Sequence, residues 1–238
     1  FFHYDYGSRS MKTVTTLLGN YCGHLQSDGY KAYDVFNDND HVVQVACMAH
    51  IRRKFEAALK ENQVLAEFAL SQIQLLYRLE RKADQENISS EERAVMRQQF
   101  ARPIIESLEV WMEKTYPTVL PKSDIGKAIG YAYGLWNRMK NYLNDGCVKI
   151  DNNLIENAIR PIALSRKNFL FAGNHQAAEN TAVICSLLTT CKEAGVNPRE
   201  WLIDVLNKMP YLQESGSETA LKELLPNNRS LNQSPTIL

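Results

Sequence analysis

The feature that most constrains the fold is the stretch from residue 60 to residue 145, where apolar side chains keep helical spacing without strand-like alternation. Val64, Phe68, Ile73, Leu75, Leu76 and Leu79 form one such run. Ser89-Ser90-Glu91-Glu92 reads as the capped start of the next: a Ser oxygen can satisfy an orphan amide while the acids face the positive end of the helix dipole. Pro103 falls inside the following pattern and should kink or split it. Asp124 to Leu143 predicts a further helix, with Ile129, Tyr133, Trp136 and Tyr142 among its apolar positions.

The flanks have a different character. FFHYDYG alternates aromatic and polar residues like a strand, and Ser8–Ser10 offer a cap before Met11, Val14, Leu17 and Leu18. HLQSDG predicts a short strand ending at Asp28-Gly29, and a short helical stretch follows at Lys31–Phe36. The β-branched segment His41–Cys47 predicts a buried strand, then a helix from Met48 that turns Ile51, Phe55, Ala58 and Leu59 inward. After Asp145-Gly146, CVKI reads as a strand and Asp151-Asn152-Asn153 as a helix cap. The next helix is expected to bury the stripe Leu154, Ile155, Ala158, Ile159 and Ile162, with a kink at Pro161. FLFAG is a strand or an extended turn, Ala177–Ala194 a helix closed by Gly195, and Asn197-Pro198 the start of a last helix carrying Trp201, Leu202, Val205 and Leu206.

The fold class is therefore α/β with a large all-helical insertion and C-terminal helices. Residues 1–59 and 146–195 form two parts of one domain, 60–145 the insertion, 196–211 a C-terminal helix, and 212–238 a flexible tail rich in Ser, Asn, Glu and Pro. A free-standing helical domain over 60–145 is the alternative. The 238 residues can bury a sizeable core, and 45% apolar with 23% charged residues excludes a wholly disordered chain. No apolar run approaches the ~18–20 residues a membrane span needs. The opening FFHYDY has no signal-peptide pattern, lacks a starting Met and begins mid-strand, so the chain reads as cut from something longer. Five scattered cysteines suit reduced thiols in a cytoplasmic setting. Equal numbers of basic and acidic residues, 27 each, exclude a uniformly basic nucleic-acid coat but leave room for local patches.

Two acids stand out. Asp28 follows a short strand, which places a carboxylate at a sheet edge where ligands collect, although Asp-Gly is also a common turn. Glu156 flanks the apolar stripe of its helix, with Arg160 one turn on as a candidate partner; a surface ion pair is the plainer account. Asp151 competes with it but suits an N-cap. Clustered carboxylates bind Mg²⁺ or Mn²⁺, because hard cations prefer oxygen. Basic residues lie nearby: Arg52, Arg53 and Lys54 on one predicted helix, and Arg160, Arg166 and Lys167 after Glu156, with Asn152, Asn153 and Asn168 as polar companions. Residues 152–170 hold these three basic residues against one acid, which suits phosphate backbone or, equally, a solvated face. Cys47 and His50 have metal-ligand spacing that Cys22 and His24 could complete as a zinc site, although the spacing of the latter pair is tight and unusual for structural zinc; a buried Cys47 and a capping or supporting His50 are the better reading, and a small zinc-stabilised helical protein is a third alternative.

LQSDGYKAY (25–33), CMAHIRRKF (47–55), DNNLIENAIRPIALSRKNFLFAG (151–173) and SLLTTCKEAGVNPREWLIDVLNKMP (186–210) together resemble the DDE transposases of the insertion-sequence-66 family. The resemblance implies a ribonuclease H-like core, here incomplete at its N-terminus, with a helical insertion between the second and third acids. It matches Asp28 to the second acid and Glu156 to the third, as catalytic and metal-binding residues. The first acid belongs upstream of FFHYDYG, and Asp5 is no substitute. Asn174 stands where the family tends to carry Ser. The implied reaction is Mg²⁺- or Mn²⁺-dependent cleavage and joining of transposon-end DNA, with Arg52, Arg53, Lys54, Asn152, Asn153, Arg160, Arg166, Lys167 and Asn168 facing DNA. The implied partners are double-stranded transposon-end and target DNA and further copies in a DNA-bound assembly. The implied setting is a bacterial cytoplasm. With two of three acids the chain is expected to be inactive alone. The alternative is a non-catalytic DNA-binding or assembly module from a decayed mobile element.

Overall fold

The computed structural model describes residues 1–169, 171–215 and 218–228, with the backbone alone at residues 166 and 213–215. These divide into two compact units: residues 9–156, and residues 1–8 together with those from 157 onward.

In the first unit, helix α1 (Met11–Leu18) starts at Ser10, whose hydroxyl accepts the Thr13 N–H. Strands β1 (Gly23–Ser27) and β2 (Val42–Ala46) pair in parallel, from Gly23 opposite Val42 to Ser27 opposite Ala46. Parallel pairing requires a crossover, which the 3₁₀ turn Lys31–Phe36 carries. Among the described residues the sheet has these two strands. CVKI does not add a third: Val148 donates back to the Asp145 carbonyl in a turn, and the Ile150 carbonyl accepts the Met48 N–H. The segment is an irregular strap across the start of the next helix.

Helix α2 (Met48–Ala58) buries Met48, Ile51, Phe55 and Ala58, with Leu59 half-buried after it. Helix α3 (Gln63–Gln85) buries Ala66, Ala69, Ile73, Leu76, Glu80 and Ala83, whereas Val64 is exposed and Phe68 lies at the margin, its ring 5.0 Å from that of Trp111. Helix α4 (Ser90–Met96) opens with the expected capping box: Ser89 accepts the Glu92 N–H, and Glu92 accepts the Ser89 N–H. The split expected at Pro103 takes the form of a π turn over Arg97–Ala101, where the Arg102 N–H reaches back to the Arg97 carbonyl. Pro103 then sits in the first turn of α5 (Arg102–Thr115), where its missing N–H costs no helical bond. Helix α6 (Asp124–Gly134) and helix α7 (Trp136–Lys140) are separated at Leu135, and a 3₁₀ turn Asn141–Asn144 follows. Tyr133, expected among the apolar positions, is exposed.

One apolar core runs from Val45 and Ala46 of β2 through α2, α3, α5, α6 and α7. The helical stretch and the strands are thus packed together. Beside this core lies an ion network that helical periodicity does not announce. Arg97, fully buried, donates from Nε and Nη2 to the two oxygens of Glu80 (2.8 and 2.7 Å), and from Nη1 to the carbonyls of Tyr142 and Asp145. Arg93 joins Glu80 (2.9 Å) to Asp84 (2.5 Å). Gly146 allows the chain to turn away here, since a Cβ would lie 1.9 Å from the Ser90 carbonyl oxygen.

Helix α8 (Asn153–Phe169) begins in the first unit and runs through Pro161 without interruption. Its apolar stripe is not buried as expected: Leu154, Ile155 and Ile159 are 73%, 57% and 48% exposed. Periodicity names the apolar face of a helix but not the surface that covers it. In the second unit, helix α9 (His175–Glu193) is capped by Asn174, whose side chain accepts the Ala177 N–H, and closes with Gly195 and Val196 donating to the Lys192 and Cys191 carbonyls. Asn and Ser are both strong N-caps, so the departure at residue 174 keeps the local chemistry. FFHYDYG is not a strand: Phe2 N–H donates to Ser186 (2.7 Å), Tyr4 bonds His175 (2.7 Å), and Tyr6-Gly7 form a turn. Its aromatics contact α9 in place of a neighbouring strand. In FLFAG, Phe169 ends α8, Gly173 takes φ +81°, and Leu170 lies outside the described residues. Helix α10 (Pro198–Ser215) buries Trp201, whose indole donates to the Leu224 carbonyl just after α11 (Glu218–Glu223). A 3₁₀ turn at Pro226–Asn228 follows, so part of the stretch read as tail is folded; residues 229–238 lie outside the described residues.

Candidate active site

The site is built at the C-terminal ends of the two parallel strands. Asp28 follows the last residue of β1 and Cys47 the last residue of β2, one register step beyond the Ser27–Ala46 pair. Asp28 is exposed. Its Oδ1 accepts the Tyr30 N–H (3.0 Å), and its main-chain carbonyl accepts the Tyr131 hydroxyl (2.6 Å). The turn is set by Gly29, at φ +81°, where a Cβ would lie 2.7 Å from Leu135 Cδ1. The Asp-Gly turn and an outward carboxylate are therefore one feature. Burial, and then the negative charge of Asp28, push the Tyr131 phenol up to about 12, so at neutral pH it is a fixed donor. The Lys54 ammonium lies 5.2 Å from the centre of that ring.

Cys47 is 1% exposed. Its thiol donates to Asn152 Oδ1 (2.9 Å) and accepts the Asn152 N–H (3.4 Å), and burial raises its pKa. Asn152 is the residue whose carbonyl receives the Glu156 N–H at the start of α8. Asp151 beside it is saturated: Oδ1 accepts the Asn153 N–H, and Oδ2 accepts both the Tyr77 hydroxyl (2.7 Å) and the Asn153 side-chain amide (2.8 Å). Burial and then Asp151 raise the Tyr77 pKa, keeping it a donor. Asp151 thus serves the helix start, as its sequence position suggested.

Glu156 projects one turn into α8 and takes its ion partners from α2. Oε2 lies 2.7 Å from Arg53 Nη2 and Oε1 lies 3.3 Å from His50 Nε2. Arg160, the partner suggested by helical spacing, is displaced from that role by Arg53. The Glu156 side chain is 33% exposed, and ion pairs of this kind contribute ~0–1 kcal/mol, so the carboxylate is readily exchanged to another cation. His50 Nδ1 is buried and has no hydrogen-bond partner among the described residues. The Cys47–His50 spacing therefore serves two inward contacts, to Asn152 and to Glu156. Among the described residues no group of three or more His, Cys, Asp or Glu side chains is placed to hold a metal ion. The oxygen donors of Asp28 and Glu156 are of the hard type that Mg²⁺ and Mn²⁺ prefer.

Arg52 pairs with Glu56 (2.8 Å). Asn152 and Asn153 are engaged as described, whereas Arg160, Lys167 and Asn168 are exposed on α8. The side chain of Arg166 lies outside the described residues. Sequence reasoning missed Tyr131 and Tyr77, which reach the site from helices of the 60–145 stretch. Nothing in their local spacing signals it, because each acts across more than seventy residues.

Comparison with known proteins gives the same organisation a family. The model of the transposase IS66 family matches residues 1–180, and that of the IS66 C-terminal element matches residues 186–226. Three similar proteins come from Sinorhizobium fredii (strain NBRC 101917 / NGR234). Uncharacterized protein y4jD is 33% identical over 235 residues, 95% of this chain and 45% of its own length. Uncharacterized protein y4qI is 35% identical over 210 residues, covering 84% and 38%, and uncharacterized protein y4hP is 30% identical over 226, covering 88% and 40%. The chain thus spans less than half the length of these relatives. No solved structure matches it at a significant level. With both models matching in order and together reaching from residue 1 to residue 226, the chain belongs to the IS66 family of transposases.

Proposed function

We propose that this chain is part of a transposase that cleaves transposon-end DNA and joins the freed 3′-hydroxyl to target DNA, with Asp28 and Glu156 as two of its three metal-binding carboxylates. In this reading β1 and β2 belong to a ribonuclease H-like core, and the helices of 60–145 are inserted between the second and third acids. When bound, Mg²⁺ or Mn²⁺ would activate the attacking oxygen and stabilise the leaving one. Asp28, whose Oδ1 accepts the Tyr30 N–H, and Glu156 would be the residues that hold the ion. Arg53, which pairs with Glu156, would meet a phosphate of the same strand. Arg52, Arg160, Arg166 and Lys167, with Asn168, steady further phosphates of double-stranded DNA, while Lys54, Asn152 and Asn153 brace the site. The protein acts as a homo-oligomer on DNA.

The observation that carries this reading is the convergence at the strand ends. Asp28 and Cys47 follow the ends of the paired strands, Cys47 ties the start of α8 to β2, and Arg53 and His50 tie Glu156 to α2. The test uses the full-length transposase and compares Mg²⁺-dependent cleavage of transposon-end duplex by the parent, Asp28→Asn and Glu156→Gln. Loss of at least a hundredfold in both variants, with DNA affinity kept, is expected. Cleavage at parental rates in both variants would make the chain a non-catalytic DNA-binding module.

A further inference from the structure

A groove of about 680 Å³ opens between α2 and α3, and it is lined by Arg53, which pairs with Glu156, and by Asn153, which bonds Asp151. Its α3 wall is a polar stripe, Ser71, Gln74, Tyr77 and Arg81, repeating every three or four residues. That stripe flanks the buried face that includes Ile73, Leu76 and Glu80, with Tyr77 half-buried against the core. Its α2 wall carries Arg52 and Arg53. Three arginines line the groove against two acids, Glu56 and Glu67. Glu56 is held by Arg52 and Glu67 accepts from Gln63, so both acids are engaged at the walls. Arg81 is exposed and has no ion pair among the described residues. Arg, Ser, Gln and Asn are the side chains that contact phosphate and sugar without reading sequence.

We infer that this groove is a track for the phosphate backbone of a DNA strand, leading along α3 toward Glu156, with Arg81 and Gln74 as its outer contacts. The inference rests on the transposase reading, because continuity with Glu156 through Arg53 is what favours a nucleic acid over an acidic protein segment. It adds a binding role for α3, where the sequence showed only helical periodicity. The pairs Arg52–Glu56 and Arg53–Glu156 are exposed enough to exchange carboxylate for phosphate at little cost.

The test measures binding of a fluorescein-labelled, mixed-sequence oligonucleotide to the 238-residue chain by anisotropy, in EDTA and over a range of salt. Single-stranded and duplex forms are run in parallel. Arg81→Gln should weaken binding ~3–10-fold at moderate salt and lower the slope of log K against log salt by about 1. Gln74→Ala should weaken binding by a smaller factor with an unchanged slope. Lys122→Gln, an equal change of charge at an exposed site outside the groove, should do neither. Equal losses for Arg81→Gln and Lys122→Gln, or none for Arg81→Gln, would overturn the track. Polyglutamate displacing the oligonucleotide at equal charge concentration would assign the groove to an acidic protein segment. Because no metal is present, these outcomes are independent of whether Asp28 and Glu156 catalyse cleavage.

Discussion

Cys47 sits where β2 passes the chain to α2, and its thiol is bonded to Asn152, the residue that starts α8. A cysteine so buried acts as a small hydrophobe with one weak donor, and its raised pKa keeps it protonated. Cys47→Ala removes that donor and leaves a small void, so a loss of ~1–3 kcal/mol is expected in urea unfolding. Cys47→Ser, which keeps a donor, should lose less. An aromatic disulfide reagent should label exposed Cys22 and Cys147 quickly in the native protein and Cys47 only on unfolding. Rapid native labelling of Cys47 would contradict its placement. Glu156 teaches a related lesson, since its helical spacing suggested Arg160 whereas the folded chain offers Arg53 and His50. An i,i+4 neighbour competes poorly with cations presented by a second helix.

At the scale of elements, the features that could be read from sequence are those whose chemistry is local. The Ser89–Glu92 capping box, the Asn174 cap and the strands around Asp28 and Cys47 each occupy a few consecutive residues. Two expected strands failed for one reason: a strand needs a neighbour to satisfy its backbone, and alternation cannot supply one. FFHYDYG uses its aromatics against α9, and CVKI lends a carbonyl to α2. The tie between α3 and α4 has a pH signature. The Arg93 hydrogen bond holds the Asp84 carboxyl below its ordinary value of 3.8. A carboxyl with a lowered folded pKa adds stability above its unfolded pKa and loses it as pH falls through the folded value. The stability difference between parent and Asp84→Asn should therefore be steady from pH 5 upward and shrink below about pH 3.8. It should be small, because Asp84 is 54% exposed, and added salt should reduce it. Denaturant titrations at several pH values check this, and a difference growing toward acid pH would reverse the sign.

For the whole molecule, the buried Glu80–Arg97 pair is the feature on which the most elements depend. Arg97 joins α3 through Glu80 to the Tyr142 and Asp145 carbonyls, and so anchors the chain before the strap that runs to Glu156. Removing one partner of a buried pair typically costs ~3–5 kcal/mol; here the two carbonyls lose their donor, and Glu80 keeps Arg93 alone. Arg97→Met should fall in that range, and adding Glu80→Gln should recover part of the loss. A double-mutant cycle by urea unfolding measures the coupling, and strict additivity would show that the two side chains act apart.

From sequence alone came the helical character of residues 60–145, the two strands, most helix ends, and the resemblance that the family models bear out. These depend on periodicity, caps and motif residues that lie close together in the chain. Only the tertiary structure decided that the helices and β2 share one core, that Arg97 and Glu80 are buried together, and that the stripe on α8 is exposed. It also decided which cations meet Glu156 and that α3 lines a groove beside it. Contacts such as Cys47 with Asn152 or Tyr131 with Asp28 span more than a hundred residues. Their existence depends on how whole elements pack, and local spacing carries no record of that.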